Sequence, residues 1–399
     1  MFDLHLQYNK IPSNTNEFHA MVRVSPDSVM NKDIPAKSIL YLLDVSGSVD
    51  IMMVKQSIIH SIPFLREKDE VSVISFSTET SVDVPWTKCT YENKFKVAND
   101  VLNIKTGGWS NISNGIFHAI EQCMDRDAHI IVLTDGSPNS GITNVSRLVS
   151  MVKNTLHGTN TRIHAFGYGD HETEFLRELT DACDGTYNCI NSHEELPIAY
   201  GSVLGATMST VLQGTTVHFE SKTLMFTDSE NKPINSQYIG DVYADERKDV
   251  LFKCHRIQEA SKHEIIYRIK AFNIITGKEI VYSSSMTIDS SNDVNMQQND
   301  LVSKRIEELR VVNRLKEARK QTSLEKTMDI LRHTNTPLKS LQEDLDLLIS
   351  SRDCDYQLKS LMNRVEQEYR KQRDNRSDDM VSEYYTPYRM WTSREVSHN

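Results

Sequence analysis

Two periodicities organise the chain. Between Ser38 and Leu212, short apolar runs alternate with stretches in which apolar residues recur every three or four positions. Ile39 to Leu43, Val71 to Phe76, Ala128 to Thr134, Thr161 to Tyr168 and Thr186 to Ile190 predict strands. Ile51 to Leu65, Tyr91 to Ile104, Ile112 to Met124, Asn144 to Leu156, Glu172 to Cys183 and Glu194 to Leu212 predict helices. Ser81 to Val84 predicts a short edge strand closed by Pro85. Such alternation implies a parallel sheet covered by helices on both faces, whose strands read as near-continuous apolar runs.

The flanks follow a period of two. Leu4, Leu6 and Tyr8 alternate with His5 and Gln7, and Phe18 to Val24 follows the polar break at 12–16. These two strands have no place in a parallel sheet. After Gln213 come short strands at Thr216 to Phe219, Thr223 to Phe226, Ser236 to Ile239, Asp249 to Cys254, Glu264 to Ala271 and Ile280 to Thr287, separated by turn signals. They predict an antiparallel sandwich, and a domain that begins before an insertion and resumes after it accounts for both flanks. Beyond a polar linker at 290–300 the period becomes helical, with Ile306, Leu309, Val312, Leu315 and Ala318 on one face. Further helices are predicted at Ser323 to His333, Pro337 to Ile349 and Tyr356 to Arg373, before a polar tail holding Tyr384, Tyr385, Tyr388 and Trp391.

The expected fold class is therefore multidomain α/β plus β: a Rossmann-like, doubly wound α/β domain inserted in a β-sandwich, with a C-terminal α-helical region. Its boundaries are 1–36 for the N-terminal sandwich strands, 37–212 for the α/β domain, 213–290 for the rest of the sandwich, 300–374 for the helices and 375–399 for the tail.

Chemistry gathers at the end of the first α/β strand. Ile39 to Leu43 delivers Asp44 at its tip, and Ser46-Gly47-Ser48 makes the turn before the next helix. In an open α/β sheet the carboxyl ends of the strands are where ligands bind. One carboxylate and two hydroxyls on such a turn offer hard oxygens and neither nitrogen nor thiolate, which suits magnesium or calcium far better than zinc.

Asp44-Val45-Ser46-Gly47-Ser48 resembles the metal-ion-dependent adhesion site of von Willebrand factor type A domains. Two further pieces follow in the family's order: Gly107 to Ile116, similar to the Gly-Gly-Thr-Asn loop and the helix after it, and Ile130 to Gly136, a buried strand ending in Asp135. The resemblance covers roughly 37–212. It implies that Ser46 and Ser48 ligate a cation through their hydroxyls, that Ser110 takes the threonine place, and that Asp44 and Asp135 hold the metal's waters and orient the serines. The implied cofactor is Mg2+, with Mn2+ or Ca2+ as alternatives. The implied partner is a protein that offers Asp or Glu to the open coordination position. Serine at 110 keeps the hydroxyl but lacks the methyl that restricts a threonine's rotamer. Trp109 beside it is a candidate partner-binding residue, packing against a neighbouring loop being the other reading. The segment 163–171 is also similar to the family's late strand, and there His164 is expected to be a packed or hydrogen-bonded histidine. Ile239 to Arg247 looks like the β-sandwich that follows this domain in inter-α-trypsin-inhibitor-like and plant ubiquitin-ligase-associated proteins.

Composition narrows the functions. A 399-residue chain that is 38% hydrophobic and 25% charged has the make-up of a soluble globular protein. A net charge of −10 argues against nucleic acid as a partner. No membrane span and no secretory signal are visible, and the expected location is intracellular and cytoplasmic. The six cysteines form no Cys-x-x-Cys pair, so reduced, buried thiols are expected, including Cys183 and Cys189. The leading expectation is a non-enzymatic, magnesium-dependent protein-interaction module. A magnesium-dependent hydrolase is an alternative, although no histidine is placed beside the acids and no nucleophile elbow is present. A third reading is an adaptor subunit of a ubiquitin-ligase or ATPase assembly; the chain carries neither RING cysteines nor a phosphate-binding loop.

Overall fold

A computed structural model describes residues 2–8, 16–26, 34–136, 138–168, 173–190, 196–229, 231–244, 247–289, 300–318, 326 and 329–330. The chain falls into two units, Ala36–Met208 and, among the described residues, those before 36 together with those from Ser209 on. The helices expected beyond 318 and the aromatic tail lie outside the described residues, apart from helical positions 326, 329 and 330.

Strands β1 (Phe2–Tyr8) and β2 (Glu17–Pro26) open the chain as an antiparallel pair. The α/β unit then runs β3 (Ser38–Asp44), α1 (Ile51–Ser61), β4 (Glu70–Phe76), β5 (Thr80–Lys88), α2 (Tyr91–Asn103), α3 (Ile112–Glu121), β6 (Ala128–Thr134), α4 (Val145–Thr155), β7 (Arg162–Tyr168), α5 (Thr173–Ala182), β8 (Tyr187–Ile190) and α6 (Leu196–Ser209). Its sheet has the order β5-β4-β3-β6-β7-β8. Because β3 is central, its side chains feed both faces. Ile39, Tyr41 and Leu43 pack with α1, α2 and α6, whereas Leu40 and Leu42 pack with α3, α4 and α5. Polar caps start the helices, with Asp50, Thr90, Asn111 and Asn144 each accepting from a backbone N–H of the first turn.

Two sequence expectations need correction here. The sheet is mixed, because β5 runs antiparallel to β4 and continues through Pro85 to Lys88. On an edge strand a proline's missing N–H costs no ladder bond, and a register shift between Val71 and Val73 absorbs it. The final helix, expected to reach Leu212, stops at Ser209. Thr210, Val211 and Leu212 instead begin a strand, where β-branched residues pack well and where Leu212 pairs with Val242 and Asn273.

That strand is β9 (Thr210–Glu220), followed by β10 (Leu224–Thr227), β11 (Ser236–Tyr243), β12 (Lys248–Arg256), β13 (Lys262–Asn273), β14 (Lys278–Asp289) and helix α7 (Asp300–Ala318). Two four-stranded antiparallel sheets, β1-β2-β12-β10 and β11-β9-β13-β14, share one core. The inner positions of β2 (Phe18, Ala20, Val22, Val24) meet those of β9 and β13 (Val217, Phe219, Ile265, Ile269). Arg23 and Asp249 face each other across β2 and β12 and form a bidentate pair at 2.7 Å. Helix α7 packs against β2 and β12. Among its described side chains Val302 and Arg305 are buried, while Ile306 and Leu309, on the expected apolar face, are only half-buried. The five described cysteines are buried and form no disulfide with one another. No helix among the described residues is long and apolar enough to cross a membrane.

Candidate functional site

Three segments converge at the carboxyl end of the α/β sheet. The first is the turn after β3. Hydrogen bonds from the Val45 N–H to the Phe76 carbonyl and from the Gly107 N–H to the Val45 carbonyl, both 2.9 Å, hold it between β4 and the loop before α3. Asp50 caps α1 by accepting from Met52 and Met53 at 3.1 Å, which fixes where the turn ends. The second segment is the loop 104–111. Gly108 adopts φ +84°, and a Cβ there would lie 2.6 Å from the Thr78 hydroxyl, so this position requires glycine. Asn111 caps α3 and donates its own N–H to the Ser77 carbonyl, which sets the position of Ser110. The third segment is the end of β6, Thr134 to Gly136.

Asp44 lies at the centre, fully buried. Its Oδ1 accepts from the Ser46 N–H at 2.9 Å; its Oδ2 accepts from the Ser110 hydroxyl at 3.0 Å and from the Thr134 hydroxyl at 2.7 Å. Nearer the surface the contacts are looser. The Ser48 hydroxyl donates to Asp135 Oδ1 at 3.3 Å, and the Ser46 and Ser48 hydroxyls are 3.4 Å apart. These distances sit at the long limit of O–H···O bonds. Burial, and then the negative charge of Asp44, push the Asp135 carboxyl above its ordinary value.

The five residues singled out in the sequence, Asp44, Ser46, Ser48, Ser110 and Asp135, thus belong to one connected network. Trp109 sits at its edge. Its backbone N–H is held by the Thr78 hydroxyl at 3.0 Å, while the side chain is 74% exposed, so it does not pack against a neighbouring loop. Thr134 was not anticipated. Its only sequence signal is a hydroxyl just after the apolar run Ile130 to Leu133, next to Asp135, and it further accepts from the Gly136 N–H at 3.1 Å. His164 lies elsewhere, on β7, within 3.0 Å of His129 and 2.9 Å of the Thr186 hydroxyl.

The donor set defines what the site can hold. Among the described residues no three His, Cys, Asp or Glu side chains come together as a metal cluster, so only two carboxylates and the hydroxyls are on offer. Two like charges surrounded by loosely bonded neutral oxygens fit a small, hard cation and disfavour zinc or copper.

Comparison with known proteins agrees with this geometry at the level of fold. The family model of the von Willebrand factor type A domain matches residues 38–196. An uncharacterized protein of Escherichia coli, YfbK, is 22% identical over 228 residues, 54% of this chain and 39% of its own length. Mouse inter alpha-trypsin inhibitor heavy chain 4 is 27% identical over 163 residues, 36% of this chain and 17% of its own. The chain therefore spans well under half the length of these relatives. Among solved structures, a von Willebrand factor type A protein from Catenulispora acidiphila superposes with a TM-score of 0.66 at 14% identity, covering 90% of this chain and 95% of that one. The ArnB paralog VWA2 from Sulfolobus acidocaldarius gives 0.54 at 15% identity, covering 92% and 97%.

Proposed function

We propose, from the premise that residues 38–196 form a von Willebrand factor type A domain, that this chain is a non-enzymatic protein-interaction module whose oxygen cluster holds Mg2+, with Mn2+ or Ca2+ as alternatives. Its partner offers an Asp or Glu side chain. The observation that carries the reading is the convergence of Asp44, Ser46, Ser48, Ser110 and Asp135 from three distant segments into one network whose members can supply only oxygen. When bound, the cation supplies a Lewis-acidic position for a carboxylate oxygen. Ser46, Ser48 and Ser110 are the hydroxyl ligands. Asp44, held by three donors, orients Ser110 and the turn, and Asp135 with Ser48 lines the open side. Trp109 adds an exposed aromatic anchor beside it. No histidine joins the network among the described residues, so Ser46 lacks a general base and hydrolysis is disfavoured. The α/β unit reads as an insertion in the sandwich, supported by the pairing of β2 with β12 across the whole α/β unit in sequence.

The test is titration of the full chain with Mg2+ by calorimetry, followed by affinity capture with magnesium and with chelator. Ser48→Ala is the discriminating variant, since Ser48 is exposed and its contacts are long. Asp44→Ala is less clean, because it orphans two hydroxyls and an amide in the interior. One saturable site in the wild type, lost in Ser48→Ala, and a partner retained only with magnesium are expected. A folded wild type that takes up no divalent cation overturns the reading.

A further inference from the structure

Sheet edges are templates for another strand unless something blunts them. Among the described residues, the three sheets have edges at β5, β8, β1, β10, β11 and β14. Five of these carry a device. β8 and β10 are four residues long, β5 contains Pro85 and two register shifts, β11 has three register shifts, and β1 carries Asp3 in its short run. β14 has none. Its 12 residues pair with β13 without a single shift, from Lys262↔Asp289 to Asn273↔Lys278. From Ile280 to Ile288 it contains neither a charge nor a proline.

Two apolar side chains at the middle of its core face are also largely exposed, although Ile288 is fully buried and Ile280 packs on the core at its ends. Tyr282 and Met286 stand opposite Ile269 and Ile265, so they share the face that forms the sandwich core. The isoleucines are 1% and 0% exposed, yet Tyr282 and Met286 are 44% and 36% exposed. On the other face Val281 is 66% exposed. Among the described residues, the core face is thus open at the middle of β14, between Ile280 and Ile288.

We propose that β14 is a homodimer contact: two copies of this chain pair β14 with β14, antiparallel about Ser284, and continue the β11-β9-β13-β14 sheet across a twofold axis. The strand is self-complementary in this register. Tyr282 falls opposite Met286 twice, Val281 opposite Thr287, and Ser283 opposite Ser285, each pair on one face of the sheet. The thioether beside the tyrosine ring is a favourable contact, and it extends the apolar face that each copy leaves open. At the ends the register sets Glu279 opposite position 289, and Lys270 lies 4.0 Å from Glu279. A charged peptide would set its charges against this neutral run; an identical strand does not.

The experiment is sedimentation of the full chain over two decades of concentration, with a cysteine probe at the axis. Residues opposite each other in an antiparallel pair have Cα atoms about 4.5–5.5 Å apart, within disulfide range. In a Cys354→Ser background, Ser284→Cys is expected to give a covalent dimer on mild oxidation, while Gln237→Cys on the exposed β11 edge is not. Ser285→Lys, on the solvent face, is expected to weaken association about tenfold or more by opposing the edge with charge, with its circular dichroism and Mg2+ titration unchanged. A wild type that stays monomeric throughout overturns the proposal, including a monomer in which slow β14 amide exchange shows the edge covered by another segment of the same chain. A dimer insensitive to Ser285→Lys and not trapped by Ser284→Cys overturns it equally.

Discussion

Asp135 is where burial and charge conflict. Its carboxyl is partly buried and lies near Asp44, and the hydrogen bonds it gains, a long one from Ser48 and one from its own backbone N–H, do not offset these effects. A folded-state value above 3.8 means that the ionised form is disfavoured on folding, so the resulting destabilisation is absent below the unfolded value and complete above the folded one. At pH 7 the metal-free protein bears it in full. Asp135→Asn keeps the size and an acceptor oxygen but removes the charge. In chelator it is expected to be more stable than wild type by about 0.5–1 kcal/mol, the modest figure reflecting solvent screening of a half-buried group. Magnesium is expected to raise the melting temperature of the wild type and to leave the variant unmoved. A variant that melts lower than wild type in chelator would refute the like-charge account.

At the scale of elements, the position of Ser110 depends on how closely α3 approaches β4. Gly115 makes that approach possible, since a Cβ there would lie 2.8 Å from Phe76 Cγ and 3.0 Å from two further Phe76 carbons. Gly115→Ala gains about 1 kcal/mol of helix propensity but overpacks a buried ring, at a cost of about 1–3 kcal/mol. Net destabilisation in urea is expected, together with weaker Mg2+ binding as α3 and its Asn111 cap shift. Phe76→Leu in the same chain should recover both, and an unchanged Mg2+ affinity in Gly115→Ala would uncouple the helix from the site. The same elements explain what was legible beforehand. β3, β4, β6 and β7 are buried on both faces, so they read as apolar runs; β5 did not, because Pro85 is tolerated at an edge that sequence alone does not identify as one. Asp44, Ser46 and Ser48 are adjacent and state their chemistry locally. Ser110 and Asp135 were reached only through the family resemblance, and Thr134 was missed because one strand-end hydroxyl has no pattern of its own. The contact of His129 with His164 depends on the pairing of β6 with β7, a register that periodicity does not encode.

Across the whole molecule, the proposed reading sets the effects of acid and magnesium at opposite ends of one strand. Asp135 follows the carboxyl end of β6, and His129 lies near its amino end. Burial first, then the charges that His164, Lys37 and Arg162 carry or acquire, hold His129 well below its ordinary 6.5. Thr207, near the end of α6, approaches His129 Nδ1, the nitrogen that faces His164, at 3.3 Å. A histidine lowered on folding contributes stability that is complete above the unfolded value and is lost as pH falls from about 6.5 towards the folded one. The expected slope there is about 1.4 kcal/mol per pH unit for the one proton taken up on unfolding. The other unit has its own acid-sensitive groups, His19 and His263, both lowered chiefly by burial. Acid is therefore expected to weaken both units, whereas magnesium, on the proposed reading, bears only on the one containing Asp135. In calorimetric scans from pH 7 to pH 5, the transition raised by Mg2+ is expected to be the one whose pH slope His129→Asn reduces. The asparagine amide replaces the Nδ1 contact but cannot be protonated in this range. A His129→Asn protein in which the magnesium-sensitive transition keeps its full wild-type slope would show that the acid response of that unit arises elsewhere.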